Sequence, residues 1–179
     1  MLERIIISGF GGQGVMLMGR LLAYAGMIEG KKVAWMPSYG PEMRGGTANC
    51  TVLISSNEIG SPIVSHPKIL IAMNQPSLDK FEQDVSENGL IILNDSLIER
   101  EVKRNDVKTI RIPADDIAGK LGNSRAANMV VLGAYVKKSG VVKMETIFKA
   151  LEKALAGRNQ KLVDINKKAL KQGAELVKE

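Results

Sequence analysis

The sequence predicts an α/β fold: a three-layer α/β/α domain with a mostly parallel, mixed central sheet. Several continuous apolar runs are typical of strands that are buried on both faces. Helix-forming segments alternate with these runs, and a glycine-rich break follows the first of them. The chain has 179 residues, of which 45% are hydrophobic and 25% charged. These values fit a single domain over 1–179 with a full core.

The first part of the chain predicts a strand, a glycine turn and a helix, followed by two more strands. We expect the helix to end at Gly30 and to pack closely on one side through Gly19 and Gly26. The third strand follows the second too soon for a helical crossover, so it is expected to be antiparallel. The predicted elements are a strand over 4–8, a helix over 15–29, a strand over 31–36 closed by Pro37, and a strand over 47–55.

The rest of the chain continues the alternation of buried strands and helices. Asp115 and Asp116 follow a strand and a proline, and we interpret them as caps of a helix start. The predicted strands are 68–73, 89–93 and 108–112, and the predicted helices are one from about Pro76 and those over 123–138, 143–156 and 161–178.

Charge and composition exclude several classes of function. The formal net charge of +6 lies wholly in residues 137–179, which contain 11 basic and 5 acidic residues. Only 4% of residues are aromatic and none alternates with these lysines, so a solvated helix face is expected rather than a nucleic-acid site. No apolar run is long enough to cross a membrane, and no signal peptide precedes the first strand. We expect a cytoplasmic protein.

The chain has one cysteine, Cys50, and one histidine, His66. A single cysteine excludes an internal disulfide and an iron–sulfur cluster held by this chain alone. A single histidine excludes a multi-histidine metal site. Cys50 lies in a strand pattern with no base nearby, so we expect a buried residue rather than a nucleophile. No residue is assigned a catalytic or metal-binding role.

The segment Gly9-Phe10-Gly11-Gly12-Gln13-Gly14 is a Rossmann-like glycine loop, since it follows a strand, opens a helix and has the spacing G-x-G-x-x-G. The free amides of such a helix start favour a phosphate group. The second strand ends without the acidic residue that dinucleotide sites use for the ribose. Binding of a dinucleotide, binding of another phosphate or diphosphate, and a tight packing turn therefore remain open.

A second loop follows the second strand and is expected at the same edge of the sheet as the first. It contains a cation, Arg44, two residues after a carboxylate, Glu42. Arg44 could bind a phosphate or a partner's carboxylate, or it could pair with Glu42 and shape the loop. The loop reads Ser38-Tyr39-Gly40-Pro41-Glu42-Met43-Arg44-Gly45-Gly46.

These two loops, together with Asn128-Met129-Val130-Val131-Leu132-Gly133-Ala134, resemble the gamma subunit of 2-oxoacid:ferredoxin oxidoreductases. This family acts on pyruvate, 2-oxoglutarate, branched-chain oxoacids or indolepyruvate. The likeness covers essentially the whole chain, and the three motifs occur in the family's order. The beta subunit of indolepyruvate oxidoreductase belongs to the same family and is an alternative.

The resemblance implies a subunit that is inactive alone, within a complex that oxidatively decarboxylates a 2-oxoacid to acyl-coenzyme A and passes electrons to ferredoxin. Thiamine diphosphate, magnesium and iron–sulfur clusters would belong to partner subunits, the thiamine-binding alpha and beta and a ferredoxin-like delta. Coenzyme A is the candidate ligand of this gamma-type domain. Its expected cofactor-binding residues are Gly9, Gly11, Gly12, Gln13, Gly14, Ser38 and Arg44, and its expected interface residues are Tyr39, Gly40, Glu42, Met43, Arg44, Gly45 and Gly46.

Two other functions are weighed against this one. The first is a free-standing nucleotide-binding protein, against which the missing acid after the second strand counts. The second is a nucleic-acid binder that uses the basic C-terminal helices, for which the sequence contains no recognition motif.

Overall fold

The computed structural model describes residues 1–38 and 47–177. These residues form strands and helices that alternate along most of the chain. Short 3₁₀ turns lie at Glu82–Asp84 and Ser124–Ala126. The strands are β1 (Leu2–Phe10), β2 (Lys32–Ser38), β3 (Thr47–Ser55), β4 (Ile69–Ala72), β5 (Leu90–Asn94) and β6 (Lys108–Ile112). The helices are α1 (Val15–Ile28), α2 (Gln75–Phe81), α3 (Ala114–Lys120), α4 (Ala127–Ser139), α5 (Met144–Ala154) and α6 (Gln160–Glu175).

The six strands form one mixed sheet in the order β2-β3-β1-β4-β5-β6. β3 is antiparallel to both of its neighbours, whereas β1, β4, β5 and β6 are parallel. The connection from β2 to β3 is too short for a crossover helix, which explains the direction of β3. The α/β class, the mixed sheet and the antiparallel strand over 47–55 are thereby confirmed.

Helices cover the two faces of the sheet unequally. The larger core lies between one face and α1, α3, α4, α5 and α6, and it includes Ile5, Ile7 and Leu22, which are fully buried. The smaller core lies on the opposite face, where Leu78 and Phe81 of α2 pack on β1, β4 and β5. The apolar residues of α4, Met129 among them, are buried.

Close packing on the larger side depends on glycines at helix contacts. A Cβ on Gly133 of α4 would overlap the carbonyl oxygen of Leu170, and one on Gly173 of α6 would overlap that of Val130. Helices α4 and α6 therefore approach each other backbone to backbone. The prediction that Gly19 allows close packing of α1 is also confirmed, since a Cβ there would overlap Cys50 and Trp35.

Two local predictions were wrong. Pro37 does not close the second strand but lies within β2. β2 is the edge of the sheet, where a proline is tolerated because one side of the strand has no partner. Asp115 and Asp116 lie in the first turn of α3 but do not cap it. The amides of that turn are instead bonded by Asn94 Oδ1 and by Ser96 Oγ, from the preceding loop.

Candidate functional site

A cleft of about 180 Å³ lies at the carboxyl ends of the parallel strands. β1 and β4 are neighbours in the sheet, but the helix that follows β1 packs on one face and the helix that follows β4 packs on the other. Where the helices that follow two neighbouring strands lie on opposite faces of the sheet, a crevice forms between them, and open α/β sheets bind their ligands there. The cleft is lined by Gly12, Gln13, Met73, Asp115, Ser124, Arg125, Ala127 and Asn128.

The glycine loop forms one wall of this cleft. Gly12 and Gly14 have φ of 96° and 74°, a left-handed conformation that favours glycine. Gly14 is the N-cap of α1 and offers no side chain to the helix start. The first helical bond runs from Met18 N to Gly14 O at 3.1 Å, and the amides of Val15–Leu17 donate to no described residue. These free donors, together with the helix dipole, favour an anion at the start of α1.

The side chain of Gln13 stabilises the loop from inside. Its Oε1 accepts hydrogen bonds from Phe10 N at 2.6 Å and from Asn74 Nδ2 at 3.0 Å. Its Nε2 donates to Met73 O at 3.2 Å. With three bonds to the chain itself, this amide joins the end of β1 to the end of β4. The side chain of Gln13 therefore holds the loop in place, and its backbone amide already donates to Phe10 O at 3.1 Å.

A row of polar side chains follows the next strands along the same edge. Asn74 follows β4, and its Oδ1 accepts from Ser77 N at the start of α2. Asn94 ends β5, and its Nδ2 lies within hydrogen-bond distance of Met73 O, at 3.4 Å, and of Asp115 Oδ2, at 2.6 Å. Asn74 and Asn94 are buried. Side-chain amides therefore link the ends of neighbouring strands by hydrogen bonds at this edge of the sheet, without a ligand.

The opposite wall of the cleft comes from the start of α4. Asn128 is 4% exposed, and its Nδ2 donates to Gly14 O at 3.3 Å. Its buried Oδ1 has no hydrogen-bond partner among the described residues. Arg125, in the turn before α4, is exposed and forms no ion pair within the described part of the chain. Among the described residues, the cleft therefore combines a cation without an ion pair, Arg125, and an amide oxygen without a hydrogen-bond donor, Asn128 Oδ1.

The sequence-predicted site residues are only partly brought together. Gly12 and Gln13 line the cleft, and Gly14 contacts Asn128 behind it. Gly9 has a packing role, because a Cβ there would lie within 3 Å of Gln13, Met73 and Val15. Gly11 lies in the turn between β1 and α1.

The second loop lies apart from the cleft or outside the described residues. Ser38 ends β2 at the same edge of the sheet, as predicted, but β3 separates it from β1. Two strand spacings amount to about 10 Å, so Ser38 is not part of the cleft. The other predicted residues of this loop, Tyr39, Gly40, Glu42, Met43, Arg44, Gly45 and Gly46, lie outside the described residues.

Several residues of the site were missed by sequence reasoning. Asn74 and Asn94 each come directly after a buried apolar strand, and this position was the available signal. Asp115 was interpreted as a helix cap, although it also follows a parallel strand. Arg125 and Asn128 belong to a segment whose position opposite the glycine loop becomes visible only in the fold.

Cys50 is buried in the larger core, as predicted. Its side chain is 0% exposed, and burial raises the pKa of its thiol to about 11. Protonated and inaccessible, this thiol lacks the features of a nucleophile. Within residues 1–38 and 47–177, no group of three or more His, Cys, Asp or Glu side chains could hold a metal ion. No helix in these ranges has the length and apolar character needed to cross a bilayer.

Comparison with known proteins identifies the family of the chain. Residues 4–176 match the pyruvate ferredoxin/flavodoxin oxidoreductase family. Ketoisovalerate oxidoreductase subunit VorA of Methanothermobacter thermautotrophicus is 42% identical over 176 residues, which cover 98% of this chain and 36% of the relative. 2-Oxoglutarate synthase subunit KorC of Methanocaldococcus jannaschii is 34% identical over 183 residues, which cover 100% of this chain and 96% of the relative.

A solved structure supports the same assignment. The gamma subunit of the keto/oxoacid ferredoxin oxidoreductase from Geobacter sulfurreducens superposes with a TM-score of 0.83 at 31% identity, over 97% of each chain. The chain thus spans about a third of the length of VorA but nearly all of KorC and of this gamma subunit. The family indicated by the three sequence motifs is confirmed. The chain belongs to the pyruvate ferredoxin/flavodoxin oxidoreductase family.

Proposed function

We propose that this chain is the gamma-type subunit of a 2-oxoacid:ferredoxin oxidoreductase. The complex would oxidatively decarboxylate a 2-oxoacid to acyl-coenzyme A and pass the electrons to ferredoxin. The observation that carries this proposal is the family match over residues 4–176, together with relatives of the same length that are named as subunits. A free-standing nucleotide-binding protein and an indolepyruvate oxidoreductase beta subunit are not favoured by the names of these relatives.

The chain would contribute structure and ligand contacts rather than a redox centre. Its single cysteine is buried in the core, where it is not available to a cluster. Thiamine diphosphate with magnesium would be held by alpha and beta subunits, and iron–sulfur clusters by a ferredoxin-like delta subunit. None of the residues of this chain is proposed to be catalytic.

The glycine loop would contact the diphosphate of coenzyme A. The residues fit such a group, because the amides of Val15–Leu17 donate to no described residue and no acidic residue lies in the first turn of α1. Gly12 leaves open space where a Cβ would lie. Calorimetry with coenzyme A and the Gly11→Val variant tests this contact. Absence of binding by the chain, with an unchanged coenzyme A dependence of the Gly11→Val complex, would contradict it.

The segment 38–46 would face the catalytic subunits, with Arg44 neutralising a diphosphate or pairing with a partner's acid. This part of the proposal depends on the sequence motif. Arg44→Ala is expected to abolish the activity of the complex while the fold survives. An unchanged thermal melt together with full activity would contradict this role.

The substrate belongs to the class of 2-oxoacids. The relatives are named for ketoisovalerate and for 2-oxoglutarate, and the higher identity is to the ketoisovalerate protein, of which the chain covers 36%. We therefore propose that ketoisovalerate, 2-oxoglutarate and pyruvate be compared as substrates of the isolated complex.

Anaerobic affinity purification of the tagged chain from its native host, followed by mass spectrometry, tests the proposed function. Stoichiometric recovery of thiamine-binding and iron–sulfur subunits is the expected result. Recovery of the chain alone would contradict the assignment and favour a free-standing ligand-binding protein.

A further inference from the structure

We infer that the cleft binds two different parts of a nucleotide-type ligand: Arg125 contacts a phosphate, and Asp115 accepts a hydrogen bond from a hydroxyl or amino group on the organic part. The inference rests on the proposed phosphate contact at the glycine loop and adds the side chains that select the ligand. Both residues line the cleft, together with Gly12 and Gln13.

The two charges are arranged for a ligand rather than for each other. Arg125 and Asp115 lie in the same cleft but form no ion pair, and Arg125 has no other carboxylate partner in the described ranges. A guanidinium binds phosphate through parallel charge-assisted hydrogen bonds. Asn128 also lines the cleft and contacts Gly14, the N-cap of α1, so a phosphate bound by Arg125 would lie near the start of that helix.

Asp115 gives the site a second requirement. Asn94 Nδ2 lies 2.6 Å from Asp115 Oδ2, which fixes the orientation of the carboxylate from the end of β5. Its other oxygen accepts no hydrogen bond from the described residues. A carboxylate beside an anion site repels bare phosphate or pyrophosphate. It favours a ligand that presents a donor, such as a ribose hydroxyl or the adenine amino group.

Asn128 provides an independent observation at the same place. Its side chain lines the cleft and is 4% exposed, and its Oδ1 is buried without a partner. A buried acceptor left without a donor is unfavourable by about 1–3 kcal/mol. A ligand that brings an N–H or O–H group into the cleft would satisfy it, whereas inorganic phosphate at neutral pH offers few donors. The oxygen therefore favours the same class of ligand as Asp115.

Calorimetry on the purified 179-residue chain tests this inference, with sodium pyrophosphate, ADP and coenzyme A as probes. The test variants are Arg125→Ala and Asp115→Asn. The matched controls are Arg158→Ala, an exposed arginine outside the cleft, and Asp116→Asn, the adjacent exposed carboxylate in the same helical turn. Thermal melts of all variants establish that each remains folded.

Arg125→Ala is expected to weaken the binding of pyrophosphate and of ADP by about tenfold, the scale of one charge-assisted hydrogen bond. Asp115→Asn is expected to act in opposite directions on the two probes. It should weaken ADP by about fivefold and strengthen pyrophosphate by about threefold, because it removes both an acceptor and a repulsive charge. The two controls should leave both affinities unchanged.

Each other outcome has one meaning. If the wild-type chain binds ADP and pyrophosphate but neither test variant alters the affinities, the inference is wrong and the proposed phosphate contact stands. If neither probe nor coenzyme A binds, both fail. Parallel changes for ADP and pyrophosphate in Asp115→Asn would also overturn the role of Asp115. Where the variants behave as expected, tighter binding of coenzyme A than of ADP would assign the nucleotide part to coenzyme A, and equal binding would assign it to a free nucleotide.

Discussion

Asn128 Nδ2 donates a hydrogen bond to Gly14 O at 3.3 Å, joining two residues that are 114 positions apart in the chain. The bond links the start of α4 to the N-cap of α1. It fixes the glycine loop against the wall that also contains Arg125. The candidate site is therefore held together by a contact between its two walls, and substitutions on either side should affect both.

Gly14→Ala is expected to destabilise the chain by about 2–4 kcal/mol. The φ of 74° costs an alanine about 1–2 kcal/mol, and the added Cβ would overlap Asn128 Nδ2. Gly122→Ala is the control, since Gly122 has a similar φ of 78° with no atom within 4 Å of an added Cβ. Denaturant unfolding should show a loss of about 1 kcal/mol for Gly122→Ala. Equal losses for the two variants would show that the contact with Asn128 contributes nothing.

Gln13→Ala is expected to lower the free energy of unfolding by about 1–3 kcal/mol, because it removes three hydrogen bonds that join β1 to β4. Gln160→Ala removes one bond to Asp164 on an exposed helix turn and should change stability by less than about 0.5 kcal/mol. Chemical denaturation measures both. A change of similar size in the two variants would mean that the Gln13 amide does not stabilise the loop.

Gly133→Ala tests the backbone contact of α4 with α6. A Cβ at this position would overlap Leu170 O, and the helices must separate to admit it, at a cost of about 3 kcal/mol. Gly119→Ala, in α3 with open space around its Cβ, should instead stabilise the chain by about 0.5–1 kcal/mol. Thermal melts of the pair should therefore shift in opposite directions. A stabilised Gly133→Ala chain would contradict the close helix contact.

Cys50 should resist modification in the native chain. Its thiol is fully buried, and its raised pKa of about 11 keeps it protonated at pH 8. A chromogenic disulfide reagent at pH 8 is expected to leave the native thiol unreacted for hours and to modify it completely in denaturant. Rapid reaction of the native chain would show that β3 is accessible.

The same thiol should make stability depend on alkaline pH. In the unfolded chain it ionises near its ordinary pKa of 9.0, whereas in the folded chain it ionises near 11. The unfolded state therefore loses the proton first, and the stabilising contribution of the protonated thiol falls as pH rises from about 9 to 11. The free energy of unfolding should decline more steeply in the native sequence than in Cys50→Ala, by about 2 kcal/mol over this range. Identical slopes would contradict the raised pKa.

Much of the fold could be predicted from local patterns. The strand over 47–55 was recognised as antiparallel because a short connection leaves no room for a crossover. The first helix was predicted to end at Gly30, and this residue has a φ of 71°, which favours glycine and stops the helix. Pro37 was misjudged because its tolerance depends on β2 being an edge strand, which is a property of the assembled sheet.

The candidate site was predicted only on its glycine side. Gly12 and Gln13 belong to a contiguous motif whose physical meaning is local. Asp115 follows a parallel strand but was interpreted as a helix cap, whereas Arg125 enters the cleft through helix packing and no local signal distinguishes it from other surface charges. Gln13 was predicted from the motif to bind a cofactor, but its side chain instead forms hydrogen bonds that hold the loop.

Reconstitution of the complex with and without this chain tests the central proposal most directly. The measured quantity is the coenzyme A-dependent reduction of ferredoxin by ketoisovalerate, 2-oxoglutarate or pyruvate under anaerobic conditions. We predict that the partner subunits alone reduce little or no ferredoxin with any of the three, and that adding the purified chain restores the reaction with at least one. Full activity of the partner subunits without the chain would contradict the proposal that it is a required gamma-type subunit.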